Sequence, residues 1–396
     1  MSSDAWVTDP FAVGAVITVL IAVSFWLDRH FRFFSFLGTA ILVITGAAIL
    51  VNLQVIPPSI GQAEGELNPI YVFAGDYGIP LAIVLLLLST DLTSLRRLGK
   101  PAIIAFILGA LGTVIGAMVA IGVTATGIGD EAWKVGGQFT ASYIGGGVNY
   151  AAVGDALGTS ETMFATGAAA DNIMTNLWMV MTALLPVVLR SFYPSIRDRR
   201  GEIAPPMGTG LTGKAIFTIH GLVTLAAVTF VIVAIGEWLT PVINQAVGVE
   251  IPSVLWYTTL ALLVAWLTPI NRLAGGEEMG NFILHFFFAT MGAGTILHTL
   301  VEKGPIVFLF LAILVSIHAF VLFGAGRWFK VEVEVLATAS QACIGGPSTA
   351  VALASSKGWY SLVTPAVLLG VLGYVVGNYL GVVMGQLMQW ILGGTI

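Results

Sequence analysis

One stretch of this chain is written nearly twice. Ile144-Gly145-Gly146-Gly147-Val148-Asn149-Tyr150-Ala151-Ala152 is matched 200 residues later by Ile344-Gly345-Gly346-Pro347-Ser348-Thr349-Ala350-Val351-Ala352, and Gly158 and Gly358 keep the same register. Each copy sets helix-breaking residues inside a strongly apolar segment. Broken backbone at membrane depth is tolerable only where it is buried in protein or lines a watery cavity. Two corresponding Gly/Pro interruptions, one in each half of a chain, are the sequence mark of a transporter site built from inverted repeats.

The apolar context is that of a membrane. Hydrophobic residues make up 57% of the chain and charged residues 9%. Mean hydropathy is +0.95. A soluble domain is nearer one-quarter charged. There is no basic patch of the kind that nucleic acid requires, and no Walker motif for ATP. The single cysteine, Cys343, excludes an internal disulfide and any Cys-based metal cluster, so no cofactor is expected. Asp4 and Asp9 precede the first apolar segment without a Lys or Arg, so Phe11–Leu27 is expected to be a retained span rather than a signal peptide.

Apolar segments fall at 11–27, 35–55, 77–92, 101–126, 136–158 and 162–189, then at 214–239, 254–270, 279–300, 304–328, 335–356 and 360–392. Most are long enough to cross a hydrocarbon core as helices, which takes about 20 residues. The short segment at 77–92 either tilts or extends back toward Tyr71.

Charge then decides the topology, because Lys and Arg of short loops stay cytoplasmic. Arg29 and Arg32 follow the first segment, Arg96, Arg97 and Lys100 the third, and Arg190, Arg197, Arg199, Arg200 and Lys214 lie between the halves. Glu64, Glu66, Asp76, Asp130 and Glu131 occupy the alternate loops. Five crossings per half bring the Arg-rich linker inside, and six would put it outside. The expected fold is therefore an all-α membrane protein of two inverted repeats, each with five transmembrane helices and a Gly-rich re-entrant or broken-helix segment. Residues 1–189 and 214–396 form the repeats, 190–213 a cytoplasmic linker, and both termini face outward. The location expected is the cell inner (plasma) membrane.

The two interruptions are the first candidate site. A broken helix exposes N–H groups at one half-helix end and C=O groups at the other, suited to an anion and to Na⁺ respectively. Gly145, Gly146, Gly147, Gly345 and Gly346 admit close approach to the backbone, and Asn149, Ser348 and Thr349 add short polar side chains at the substrate-facing tips. The bland alternative is that the glycines serve helix packing alone. Asp171 is the second candidate, near the middle of 162–189. A charge at bilayer depth is costly and usually faces a cavity, an ion or a proton path. Helical spacing sets Asp171 over Thr175 and Asn172 over Asn176, one polar stripe suited to ion binding. A structural Asp held by a neighbouring helix is the alternative. Asn378 stands in the matching last helix as a partial counterpart. Gly370, Gly373, Gly377, Gly381 and Gly385 make a close-packing stripe there, internal or between two copies of a homodimer. Asp155 and Glu161 read as loop charges or an outer gate. His220, His285 and His318 read as hydrogen-bonded interior histidines, without metal-ligand spacing. Cys343, directly before the second interruption, is expected to line a watery cavity.

The pairing of Gly145-Gly146-Gly147-Val148-Asn149-Tyr150-Ala151-Ala152-Val153 with Ala169-Ala170-Asp171-Asn172 resembles a bacterial integral membrane family described only as a domain of unknown function, over most of the chain. More distantly the layout resembles sodium–glutamate symporters, 2-hydroxycarboxylate transporters and the bile-acid/arginine transporter group. That resemblance implies Na⁺-coupled secondary transport with an elevator-like motion, and puts Gly145, Gly146, Asn149, Gly345 and Gly346 at the substrate-facing tips. The second tip departs from the first at Pro347, Ser348 and Thr349. The reading is a transporter of a carboxylate or amino acid, not an enzyme, with Na⁺ ahead of H⁺ as coupling ion. The alternatives are a passive channel and an intramembrane aspartyl protease; Ala152 breaks the GxGD signature the latter needs.

Overall fold

The computed structural model describes residues 5–59, 67–195, 217–248, 251–294 and 297–393. Most of the expected linker, with Arg197, Arg199, Arg200 and Lys214, lies outside the described residues. Every regular element among the described residues is helical.

The first half runs α1 (Pro10–His30), α2 (Arg32–Leu37), α3 (Thr39–Asn52), α4 (Pro69–Val72), a π-helical turn (Phe73–Gly78) leading into α5 (Ile79–Leu88), α6 (Lys100–Ile128), α7 (Ala132–Gly145), α8 (Gly147–Ala156) and α9 (Glu161–Leu189). The second half runs α10 (Ile219–Val247), α11 (Ser253–Leu267), α12 (Gly276–Ala293), α13 (Leu297–Trp328), α14 (Val333–Ser356) and α15 (Tyr360–Ile391). Short polar residues start several of them. Asp9 accepts from the Ala12 amide at 3.0 Å, with Pro10 at the first helical position. Ser160 accepts from the Met163 amide at 3.3 Å and Thr218 from the Gly221 amide at 3.0 Å. Each satisfies an amide that the first turn leaves without a partner.

Among the described residues, seven helices are long and apolar enough to cross a membrane: Pro10–His30, Pro69–Leu88, Lys100–Ile128, Glu161–Leu189, Ile219–Val247, Glu302–Trp328 and Ser361–Ile391. The apolar helices Thr39–Asn52 and Ser253–Leu267 are shorter. The segment read as 77–92 starts earlier, at Pro69, and turns through the π segment that carries Asp76. The segment read as 35–55 is interrupted at Gly38. Large apolar side chains face outward along the long helices, among them Ile115, Val119 and Val123 on α6 and Val223, Phe230 and Trp238 on α10. An apolar exterior of this extent is stable against lipid, not water.

Inside, small residues let helices touch backbone to backbone. α6 packs along α13: a Cβ on Gly116 would lie 2.6 Å from the Leu314 carbonyl oxygen and one on Gly112 2.9 Å from the His318 Cα. α7 packs along α15 in the same way. There the glycine stripe expected on the last helix is filled from within the chain, with Gly370 against Pro347, Gly373 against the Ile144 carbonyl, Gly377 against Asn149, Gly381 against Ala141 and Gly385 against Gly137. Without water to displace, such contacts hold helices together by dispersion and close approach.

Candidate functional site at two broken helices

The repeated motif folds into two helix breaks of the same shape. Between α7 and α8, Gly146 has φ 93° and ψ −171°. Within α14, Gly346 has φ 78° and ψ −172°. A side chain at either position would be strained, which is why glycine stands at both. The likeness continues downstream: Leu157 and Lys357 each have φ −90°, and Gly158 and Gly358 have φ 63° and 69°. The two breaks also meet. A Cβ on Gly146 would lie 3.3 Å from the Gly346 Cα.

The side chains predicted at the tips divide. Gly147 and Ser348 are exposed. Asn149 is buried; its Nδ2 donates to the Asn378 Oδ1 at 2.7 Å and to the Tyr374 carbonyl at 3.2 Å. Asn378 Nδ2 in turn donates to Thr258 Oγ1 at 2.9 Å. Thr349 Oγ1 donates to the Gly346 carbonyl at 3.1 Å, bracing the second break from within. Gly145 and Gly345 are each covered by the residue four places on, Asn149 and Thr349.

On α9, Thr175 Oγ1 lies 3.5 Å from Asp171 Oδ1, and Asn176 Nδ2 donates to Asn172 Oδ1 at 3.0 Å, so the two pairs lie one turn apart as helical spacing requires. The half-buried Asp171 faces the hydroxyls of Tyr143 and Ser142 on α7. Asn378 belongs to the Asn149 group instead. The residues read as one ion-binding set thus fall into three pairs: Asp171 with Thr175, Asn172 with Asn176, and Asn378 with Asn149.

His318 is the hydrogen-bonded interior histidine that the sequence suggested, but sequence reasoning missed the partners through which it ties the breaks together. His318 on α13 is fully buried. Its Nδ1 lies 3.0 Å from Thr113 Oγ1 and its Nε2 2.9 Å from Ser340 Oγ. Thr113 donates its one hydroxyl proton to the Tyr143 carbonyl at 2.9 Å, so His318 must donate through Nδ1. Neutral imidazole then accepts at Nε2 from the Ser340 hydroxyl, which itself accepts from Trp178 Nε1 at 2.9 Å. One directed chain of hydrogen bonds joins α9, α14, α13, α6 and α7. Gln341, next to Ser340, accepts from Thr182 Oγ1 at 3.1 Å. A Gln four places before the second glycine cluster was the available signal.

His285, also buried, bonds the Asn281 carbonyl at 2.7 Å and Thr39 Oγ1 at 3.0 Å, whereas His220 is exposed. Cys343 is fully buried beside Gly109, where a Cβ would lie 3.2 Å from its Sγ. The expected watery lining is absent there because α6 packs against that face of α14. Asp155 lines a cavity of about 230 Å³ with Asp76 and Glu237, and Tyr257 donates to Glu237 at its edge. Glu161 is not a loop charge: it begins α9 and accepts from Ser59 Oγ at 2.8 Å. Buried polar atoms without a hydrogen-bond partner gather around the breaks: Ser142 Oγ, Tyr143 Oη, Asn149 Oδ1 and Gln341 Nε2.

The family described as "Protein of unknown function (DUF819)" matches residues 15–391. The chain is also similar to "Uncharacterized membrane protein YjcL" of Bacillus subtilis (strain 168), with 30% identity over 401 residues, 97% of this chain and 97% of that protein. Both matches span the two broken helices and every long apolar helix between them, so the chain belongs to this family of membrane proteins, DUF819.

Proposed function

We propose that the protein is an ion-coupled secondary transporter of a small organic solute, a carboxylate or amino acid, with Na⁺ as the coupling ion. The observation that carries this reading is the meeting of Gly146 and Gly346, two breaks of one backbone shape 200 residues apart. Breaks of this kind cost a helix its internal hydrogen bonds, and in a membrane they persist where the freed groups hold a ligand. In the proposed arrangement residues 1–189 and 214–396 are inverted repeats. Each has five crossings and a re-entrant segment: α7–α8 from outside and α14 from the cytoplasm. The shorter α3 and α11, with α12, supply the crossings beyond the seven long helices. Both termini face outward from the plasma membrane.

The solute would sit at Gly145–Gly147, Asn149, Gly345, Gly346, Ser348 and Thr349, against the amides that open α8 and the second part of α14. No Lys or Arg occurs in either motif, so an anionic group would rely on those amides and on short polar side chains. Asp171 would carry the ion coupling, with alternating access supplied by elevator-like movement of the broken segments. Hydroxyls surround Asp171, which suits a cation better than the paired acids of an aspartyl protease.

Reconstituted protein tests this. Vesicles with an inward Na⁺ gradient should accumulate a solute found by thermal-shift screening of organic acids and amino acids. Uptake should saturate and collapse when the gradient is removed. Flux that equilibrates without saturation or gradient dependence would identify a passive channel instead.

A further inference from the structure

Two buried hydroxyls one helical turn before the first break are turned toward a carboxyl on another helix. Ser142 and Tyr143 on α7 are each 0% exposed, and neither Ser142 Oγ nor Tyr143 Oη makes a hydrogen bond of full geometry. Leaving a buried polar atom unsatisfied costs roughly 1–3 kcal/mol. Both face the Asp171 carboxyl. A carboxylate satisfied by protein alone would draw such donors to about 2.7 Å. Here Thr175 Oγ1 is 3.5 Å from Asp171 Oδ1, and Ser142 and Tyr143, though turned to the same carboxyl, make no bond of ordinary geometry with it. Oxygens that share a cation sit farther apart than oxygens joined by a proton.

We infer that Asp171, Thr175, Ser142 and Tyr143 form a site for one monovalent cation, Na⁺, between α9 and α7. The inference rests on the ion-coupled reading above and supplies its ligand set. All four side chains offer oxygen, which selects a hard cation over a transition metal. Asp171 is the one carboxylate among them, and it balances one positive charge and no more. The backbone of α7 is held for this purpose, since the Tyr143 carbonyl accepts from Thr113 at 2.9 Å. Because α7 ends at the break, an ion here fixes the first tip against α9. Asn172, Asn176 and Asn378 are outside the site, each bonded elsewhere.

The test is thermal unfolding of detergent-purified full-length protein in NaCl against choline chloride at equal ionic strength. Na⁺ should raise the wild-type unfolding temperature, since a ligand of the folded state stabilises it. Ser142→Ala and Tyr143→Phe should each weaken the apparent Na⁺ affinity by about tenfold or more. Each variant is compared with itself, so the readout is the shift between NaCl and choline rather than the basal unfolding temperature. Ser142→Thr, which keeps the hydroxyl, should retain the response. Ser316→Ala should leave it unchanged, since that hydroxyl bonds only its own helix. If Asp171→Asn abolishes the Na⁺ response while Ser142→Ala and Tyr143→Phe keep it, this ligand set is wrong and ion coupling through Asp171 stands. If Na⁺ does not stabilise wild type at all, the site is overturned, and gradient-driven uptake separately decides the transporter reading.

Discussion

Asn149 and Asn378 hold each other across the two halves of the chain, Nδ2 to Oδ1 at 2.7 Å, with both residues buried. The contact ties the first broken segment to α15. Removing either partner breaks this bond in a buried place, and removing the second partner as well cannot break it again. Asn149→Ala and Asn378→Ala should therefore each destabilise by about 1–3 kcal/mol, with the double variant less destabilised than the sum. Thermal unfolding of the four proteins measures the coupling. Strict additivity would mean that the bond contributes nothing.

The glycines of the first motif should separate sharply on substitution. Gly146 sits at φ 93° with Gly346 against it, whereas a Cβ on Gly147 would meet nothing within 4 Å. Gly146→Ala forces a side chain into a positive-φ region that is essentially glycine's alone, at a cost of about 1–3 kcal/mol, and also pushes the breaks apart. Gly147→Ala should fold with wild-type stability. Equal yields and unfolding temperatures for the two variants would contradict the geometry.

How much of this was legible beforehand depended on what repeats and what stands alone. The breaks could be located because Gly146 and Gly346 recur in register, and the Asp171–Thr175 and Asn172–Asn176 pairs because both lie on one helix with known spacing. The start of the third segment was obscured because Gly75, Asp76 and Gly78 interrupt its hydropathy, yet they lie inside the continuous run from Pro69 to Leu88. The His318 chain could not be seen at all. Thr113, Trp178, His318 and Ser340 are single polar residues on four separate helices, and no local pattern says which helices touch. Asn378 was matched to Asn172 or Asn176 by its place in the last helix, when its partner lies in the broken segment across the halves.

That His318 chain has a fixed direction, and direction is measurable. Nitrogen chemical shifts of labelled histidine should show a neutral ring protonated at Nδ1. Ser340→Ala removes the donor to Nε2 and orphans Trp178 Nε1, so it should destabilise by about 1–3 kcal/mol. A ring protonated at Nε2 would reverse the bonds that His318 makes with Ser340 and Thr113 and contradict the Thr113 donation to Tyr143.

Asp171→Asn keeps the shape of the side chain and removes its charge. The variant should fold and purify like wild type, because the amide can still meet Thr175. It should lose ion-driven accumulation of solute in reconstituted vesicles. Accumulation with unchanged ion dependence would make Asp171 a structural residue.

Cys343 offers a test of the proposed movement of the second broken segment. Its thiol is fully buried, close to Gly109 and on the face of α14 that packs against α6. A thiol reacts as the thiolate, which needs polar surroundings, so a maleimide should label the resting protein slowly and the unfolded protein completely. If α14 moves relative to α6 during transport, Cys343 becomes reachable in the moved state. A ligand that stabilises one state then changes the labelling rate by the population it shifts. Labelling followed by mass spectrometry, with Na⁺ replaced by choline and with any solute from the screen, should therefore give ligand-dependent rates. A slow rate that no ion or solute alters would mean that α14 stays fixed on α6, and would count against elevator-like movement of this segment.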